Sequence, residues 1–275
     1  MGGCSENGAS CGASGAATGR IDPTAVIDPG ARLGPGCSVG PYAVVGRDVA
    51  MGAGNVLHAH AVVLGPAALG DRNEVHPFAV LGGPPQDLRH RGEPTRLEVG
   101  SGNVFREHVT VSRGTAHGGG STALGDDNLL MAGCHVAHDC RIGSHVVMAN
   151  LATLAGHATV GDHAVFGGFV GVGSFVRIGE SAMLAAGAMI ERDVPPFCIA
   201  AGDRARLSGV NRVGLDRRKI SPEAKAQIKR IVRLLRRKGT PLEAILAALG
   251  ATPDLEPEAR RMIEFLRTAT RGVLR

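Results

Sequence analysis

The sequence predicts a mainly β fold: a parallel β-helix of hexapeptide repeats, followed by a small α-helical C-terminal domain. Three observations carry that prediction. First, an aliphatic residue returns every sixth position from Ile21 through Ile27, Leu33, Val39, Val45, Met51, Leu57, Val63, Leu69, Val75 and Leu81. The beat resumes at Val99, Phe105 and Val111, slips by one residue, and runs on from Leu124 to Ile190. A helix repeats near 3.6 residues and a simple strand near 2, so a strict six fits neither and reads as a β-helix coil. Second, aromatic residues are 3% of the 275, Trp is absent and 41 residues are Gly. A narrow interior leaves little room for rings, and glycine turns tight corners at positive φ with little cost. Third, the beat stops at Asp193-Val194-Pro195-Pro196 and a helical periodicity takes over.

Taken in order, residues 1–19 are rich in Gly, Ala and Ser and lack the beat, which predicts a disordered N-terminal tail. Residues 20–200 form the β-helix. Each hexad makes one side of a triangular prism, so 18 residues complete a coil and residues 18 apart stack at the ordinary strand spacing of about 4.8 Å. Four places after the aliphatic residue sits a small one, as at Ala25, Ala31, Cys37 and Ala43. Cys134 and Cys140 occupy the same slot, so these thiols read as core packing. Two insertions, near 83–98 and 116–123, interrupt the prism; loops on a rigid scaffold commonly carry function. Residues 201–275 form the helical domain. Ser221-Pro222 caps a first helix with Ile228, Ile231, Val232, Leu234 and Leu235 on one stripe. Thr240 to Glu243 opens a second helix with a capping box, and residues 256–269 make a third.

Charge narrows the partners. Residues 1–202 hold 12 Lys/Arg against 17 Asp/Glu, while residues 203–275 hold 18 against 8, a local net of +10. Such a basic end suits an acidic partner or a phosphorylated ligand. Its one aromatic, Phe265, gives no stacking platform, which argues against nucleic acid. No run of 18 apolar residues predicts membrane insertion. Unpaired thiols and the lack of a secretory leader pattern point to the cytoplasm.

The repeat also gathers chemistry. Gly156 follows His138 by 18 residues, so it stacks one coil above, and Asp139 and His157 are their immediate neighbours. A neutral histidine held by a carboxylate is a suitable general base near pH 7, and a neighbouring backbone N–H can stabilise an oxyanion. Exposed prism positions are polar in any case, so spacing alone leaves the patch open to a structural role.

Several separated strings resemble one family, the UDP-N-acetylglucosamine 3-O-acyltransferases that begin lipid A synthesis. They include Gln86-Asp87-Leu88, Gly92-Glu93-Pro94-Thr95-Arg96, Arg113-Gly114-Thr115, His135-Val136-Ala137-His138-Asp139-Cys140 and Ala152-Thr153-Leu154-Ala155-Gly156-His157. Gly209-Val210-Asn211, Arg217-Arg218 and Thr270-Arg271-Gly272 extend the likeness over about residues 20–275. The resemblance implies a left-handed coil, a homotrimer with clefts between prisms, and transfer of a 3-hydroxyacyl chain from acyl carrier protein to the sugar 3-position. It implies His138 as base, Asp139 as its orienting acid and the Gly156 N–H as oxyanion donor. By the same resemblance Gln86, Asp87, Arg89, His135, His157 and Asn211 contact the UDP-amino sugar. Arg217 and Arg218 lie near its phosphates and the carrier protein, and Ala186 lies at the floor of the acyl groove. No cofactor is implied beyond the donor thioester.

The sequence departs from that family in places. Arg89 stands where a Lys is usual, Gly173-Ser174 where a His-Gln pair is common, and Arg204 where a His is frequent. A planar guanidinium binds differently from an ammonium. These departures leave open the 3-amino analogue of the sugar as acceptor. Three alternatives remain: a sibling enzyme that N-acylates a later intermediate, a non-catalytic scaffold, and a zinc site. The last would use His135, His138 and His157, in the manner of hexapeptide carbonic anhydrases.

Overall fold

The computed structural model describes residues 19–237, 239–250 and 252–275. The predicted tail, apart from Gly19, lies outside the described residues. From Val26 onward the chain is a succession of strands, most of them two residues long, separated by tight corners. Every third strand joins the same sheet through the prism, which gives, among the described residues, three faces of 9, 8 and 10 strands, all parallel except the last strand of the third face. The first face contains Val26–Ile27 and His135–Val136, the second Arg32–Leu33 and Arg141–Ile142, and the third Ser38–Val39 and Val165–Phe166. Partners are 18 residues apart, as in Val26↔Val44 and Val165↔Met183.

The beat residues fill the interior. Leu57, Leu81, Leu130, Met148 and Leu154 are all buried, whereas Ile21, near the start of the described residues, is 48% exposed. Phe105 and Phe166 are also fully buried, each stacked between aliphatic residues of adjacent coils, so the interior does accept single rings. Cys37, Cys134 and Cys140 are buried as expected. Burial raises the thiols of Cys134 and Cys140 to about 11 and about 12, which leaves them inert. Asn55, Asn73, Asn103 and Asn128 form a buried ladder, each donating or accepting through its amide so that no polar step of the stack from Asn55 to Asn103 goes unpaired.

The corners differ from expectation. Many positive-φ positions are not glycine: Asp139, His157 and Phe175 have φ of 61°, 63° and 63°. Such a conformation costs an L-residue roughly 1 kcal/mol or more and persists where stacked neighbours over-determine it.

Both insertions are present, with slightly different limits. Glu74↔Val104 and Val104↔Leu129 are separated by 30 and 25 residues instead of 18. The first loop runs from the end of Val80–Gly83 to Arg96–Val99, and the second from Thr110–Ser112 to Ser121–Leu124. Ladder pairing restarts before the beat residue, at Leu97↔Ala67, so the first loop closes earlier than the periodicity suggests.

Past residue 200 the third face continues. Cys198–Ala201 pairs with Met183–Leu184 and then folds back antiparallel on Arg206–Val210, a hairpin with no periodic signal in the sequence. Among the described residues four α-helices follow: α1 (Arg212–Arg217), α2 (Pro222–Leu235), α3 (Leu242–Gly250) and α4 (Pro257–Arg267). The Ser221 hydroxyl accepts from the Ala224 N–H and starts α2, which buries Ala224, Ile228, Ile231, Val232 and Leu235. The domain is fastened to the prism by Arg177, which stacks 4.1 Å from the Phe265 ring centroid and donates to the Thr268 carbonyl, and by Arg218 on Glu180.

Candidate active site

His138 and Asp139 turn the corner between the first and second faces. The αL backbone at Asp139 sends its carboxylate back into the prism wall, where the side chain is fully buried. Both of its oxygens are engaged. Oδ1 accepts from the Thr115 N–H at 2.9 Å, and Oδ2 accepts from the Thr115 hydroxyl at 2.6 Å and faces His138 Nδ1 at 2.8 Å. Burial opposes ionisation of this carboxyl, but the hydrogen bonds from Thr115 and His138 outweigh it and hold its pKa below the ordinary value. The anion fixes the imidazole tautomer with a proton on Nδ1, which leaves the Nε2 lone pair free.

Nε2 points along the corner toward Gly156. A Cβ placed on Gly156 would stand 2.6 Å from His138 Cε1 and 2.8 Å from Nε2, so only glycine lets the ring lie across this rung. The adjacent ladder bonds run from Ala155 N to Val172 O and from His157 N to His138 O; among the described residues the Gly156 N–H has no backbone partner. His157 meets His138 edge-on at 5.2 Å between centroids and stacks flat on Phe175 at 4.2 Å. Burial lowers the His157 and His135 pKa values, favouring neutral rings at both.

The two insertions wall in this corner. Asp87, from the first loop, places Oδ2 3.9 Å from His138 Nε2 and 3.2 Å from His117 Nε2. Arg89 grips the same carboxylate through its own backbone N–H and its guanidinium, holding it far below the usual carboxylate range. The second loop supplies Thr115 and His117. Its Gly118 lies so close to Asp139 that a Cβ there would meet the carboxylate at 2.2 Å.

One corner of one chain thus assembles Asp87, Arg89, His138, Asp139, Gly156 and His157. His135 lies one strand earlier, with Nδ1 2.7 Å from the Thr110 hydroxyl. Gln86, beside Asp87, is exposed. Asn211, Arg217, Arg218 and Ala186 are not brought to this corner. Asn211 caps α1 through Gly214 N and donates to the Ser181 carbonyl, and Arg218 bonds Glu180 and Ser181, both at the corner between the second and third faces. Arg217 ends α1 on that side. Ala186 is exposed at the remaining corner, between the third and first faces. Thr115 and His117 were not among the predicted site residues. Their loop lies off the 18-residue register, so stacking arithmetic cannot place them. The three ligand atoms within 4.8 Å here belong to His138, Asp139 and His157, a set that excludes His135 from the suggested zinc trio.

A β-helix of six-residue rungs with a sheltered histidine–carboxylate pair defines a hexapeptide-repeat transferase. Residues 121–156 match the family described as "Bacterial transferase hexapeptide (six repeats)", and residues 193–274 match "Udp N-acetylglucosamine O-acyltransferase; Domain 2". The acyl-[acyl-carrier-protein]–UDP-N-acetylglucosamine O-acyltransferase of Thermodesulfovibrio yellowstonii is 42% identical, with 93% of this chain and 99% of that protein covered. LpxA from Acinetobacter baumannii superposes with a TM-score of 0.89 at 36% identity, covering 93% of this chain and 99% of that one. LpxA from Bacteroides fragilis gives 0.90 at 35%, covering 93% and 100%. The chain belongs to this acyl-[acyl-carrier-protein]–UDP-N-acetylglucosamine O-acyltransferase family. It is an acyltransferase, and its coil is a left-handed parallel β-helix.

Proposed function

We propose that the protein transfers a 3-hydroxyacyl chain from acyl carrier protein to the 3-hydroxyl of UDP-N-acetylglucosamine, the first step of lipid A biosynthesis, in the cytoplasm. The observation that carries the reading is the Asp139–His138 pair laid across Gly156. Asp139 holds Nδ1–H, so His138 Nε2 takes the proton of the sugar hydroxyl as its oxygen bonds to the thioester carbonyl carbon. The tetrahedral oxyanion is met by the Gly156 N–H. On collapse the carbon–sulfur bond breaks and the leaving thiolate recovers the proton from His138. The thioester carbonyl is already electrophilic, so the reaction needs no metal.

Asp87, held by Arg89, faces the same Nε2 and suits hydroxyl or amide groups of the sugar, with Gln86, His135 and His157 beside it. The positions left at the other two corners support a homotrimer. In a threefold assembly of triangular prisms, one copy's His138 corner meets a neighbour's Asn211, Arg217 and Arg218, and Ala186 closes the acyl groove. The basic C-terminal part, net +10 over residues 203–275, suits an acidic carrier protein.

The deciding experiment offers acyl carrier proteins loaded with several 3-hydroxyacyl chains, together with UDP-N-acetylglucosamine or its 3-amino analogue, and weighs the product. A product heavier than UDP-N-acetylglucosamine by one hydroxyacyl group, with an alkali-labile ester, is expected. An alkali-stable amide formed only on the amino sugar would replace the acceptor, and no acylated sugar nucleotide at all would end the proposal.

A further inference from the structure

At the ends of the second and third coils of the prism, the third face carries a second histidine–carboxylate cluster with no part in the acyl-transfer site. His58 and His76 follow equivalent strands, Val56–Leu57 and Glu74–Val75, so the 18-residue repeat stacks their rings at 4.6 Å. Both turn Nε2 toward one atom, Glu74 Oε1, at 2.7 Å and 3.3 Å. The three ligand atoms lie within 4.8 Å of one another.

We infer that His58, Glu74 and His76 form a binding site for a zinc-like divalent cation, which ties two consecutive coils together just below the first loop. Two imidazole nitrogens and one carboxylate oxygen are a donor set suited to zinc. A zinc ion held at about 2.0–2.2 Å from each donor needs donors roughly 3–3.5 Å apart. The His76–Glu74 separation of 3.3 Å falls within that range and the His58–Glu74 separation of 2.7 Å lies just below it, so the ion needs only a small outward shift of the His58 ring.

The surroundings match what a metal site requires. His76 Nδ1 faces Glu107 Oε1 at 3.5 Å, the outer carboxylate that fixes a ligating imidazole with its lone pair on Nε2. Arg106 in turn holds Glu107 through two contacts at 3.0 and 3.1 Å. With Glu74 and Glu107 against Arg106, the cluster keeps one net negative charge before the ion arrives. An open recess of about 580 Å³, lined in part by Val56, Leu57 and His58, lies beside the cluster.

The His138–Asp139–His157 set differs in the decisive respect. Asp139 already accepts from Thr115 twice and from His138, whereas among the described residues Glu74 has no side-chain partner except the two histidines, and it is half-exposed.

The test uses full-length protein stripped with a chelator, then exposed to micromolar zinc chloride, desalted and analysed for metal, with thermal unfolding measured in parallel. Wild type and His138→Ala should each retain one zinc per chain and unfold at a higher temperature with zinc than without. His58→Gln, Glu74→Gln and His76→Gln should lose the zinc and the thermal shift while remaining folded. Glu107→Gln should bind roughly 10–100-fold more weakly. Failure of wild type to retain zinc would overturn the site, as would zinc that survives His76→Gln but departs with His138→Ala. None of these readouts depends on the proposed acyl transfer.

Discussion

Two corners of the same prism carry the same residue types in the same backbone slot, and only one of them builds a reactive site. Asp139 and His157 turn one corner with φ of 61° and 63°; His145 and His163 turn the next with 58° and 59°. At the second corner His145 pairs loosely with Asp127 at 3.8 Å, and their side chains are 50% and 59% exposed. At the first, the His138 and Asp139 side chains are 13% and 0% exposed and bond at 2.8 Å. The difference is shelter. The two insertions cover the first corner with Asp87, Thr115, His117 and Gly118, whereas at the second the helical domain reaches only as far as Ser181 and leaves His145 and Asp127 open to solvent. A solvated ion pair contributes little, whereas an excluded one fixes a tautomer and a direction.

The sharpest way to break this contrast is to delete each imidazole. His138→Ala should lower the acyl-transfer rate by roughly 10²–10⁴. His145→Ala should change rate and stability hardly at all, within about 0.5 kcal/mol. Equal losses in a steady-state assay would show that shelter is irrelevant. Next in size, Gly156→Ala must push the His138 ring aside by its Cβ. A displacement on the order of 1 Å costs about 10²-fold in kcat while the unfolding temperature stays close to wild type.

A smaller effect probes the second loop. Thr115→Val removes the hydroxyl donor to Asp139, which leaves a buried carboxylate short of one bond and costs about 1–3 kcal/mol. Thr115→Ser should restore most of both stability and activity; chemical denaturation of the three proteins gives the comparison. The smallest effect concerns pH. Burial lowers the His135 and His157 pKa values below the usual 6.5 in the folded protein. The unfolded chain therefore takes up more protons as pH falls from about 6.5 toward those native values, and stability declines across that window. His157→Gln should flatten the slope of unfolding temperature against pH there, and an unchanged slope would remove this group from the linkage.

Much of the fold was legible because a six-residue period admits few structures. The aliphatic beat placed Leu57, Leu130 and Leu154 inside, and the small slot placed Cys134 and Cys140 beside them. The N-cap at Ser221 and the stripe along α2 were legible for a similar local reason. The hairpin of Cys198–Ala201 with Arg206–Val210 was not, since its short strands repeat nothing. At the site, the stacking of Gly156 on His138 followed from counting 18. Thr115 and His117 did not, because a loop off the repeat has no register to count.

The sequence by itself determined the prism, its interior and the coincidence of His138, Asp139, Gly156 and His157, because a periodic chain fixes which residues stack. Only the tertiary structure decided which polar corner is dry. It also separated Asn211, Arg218 and Ala186 onto the other two corners. Those outcomes depend on where aperiodic loops and the helical domain come to rest, and packing between distant segments leaves no period to read.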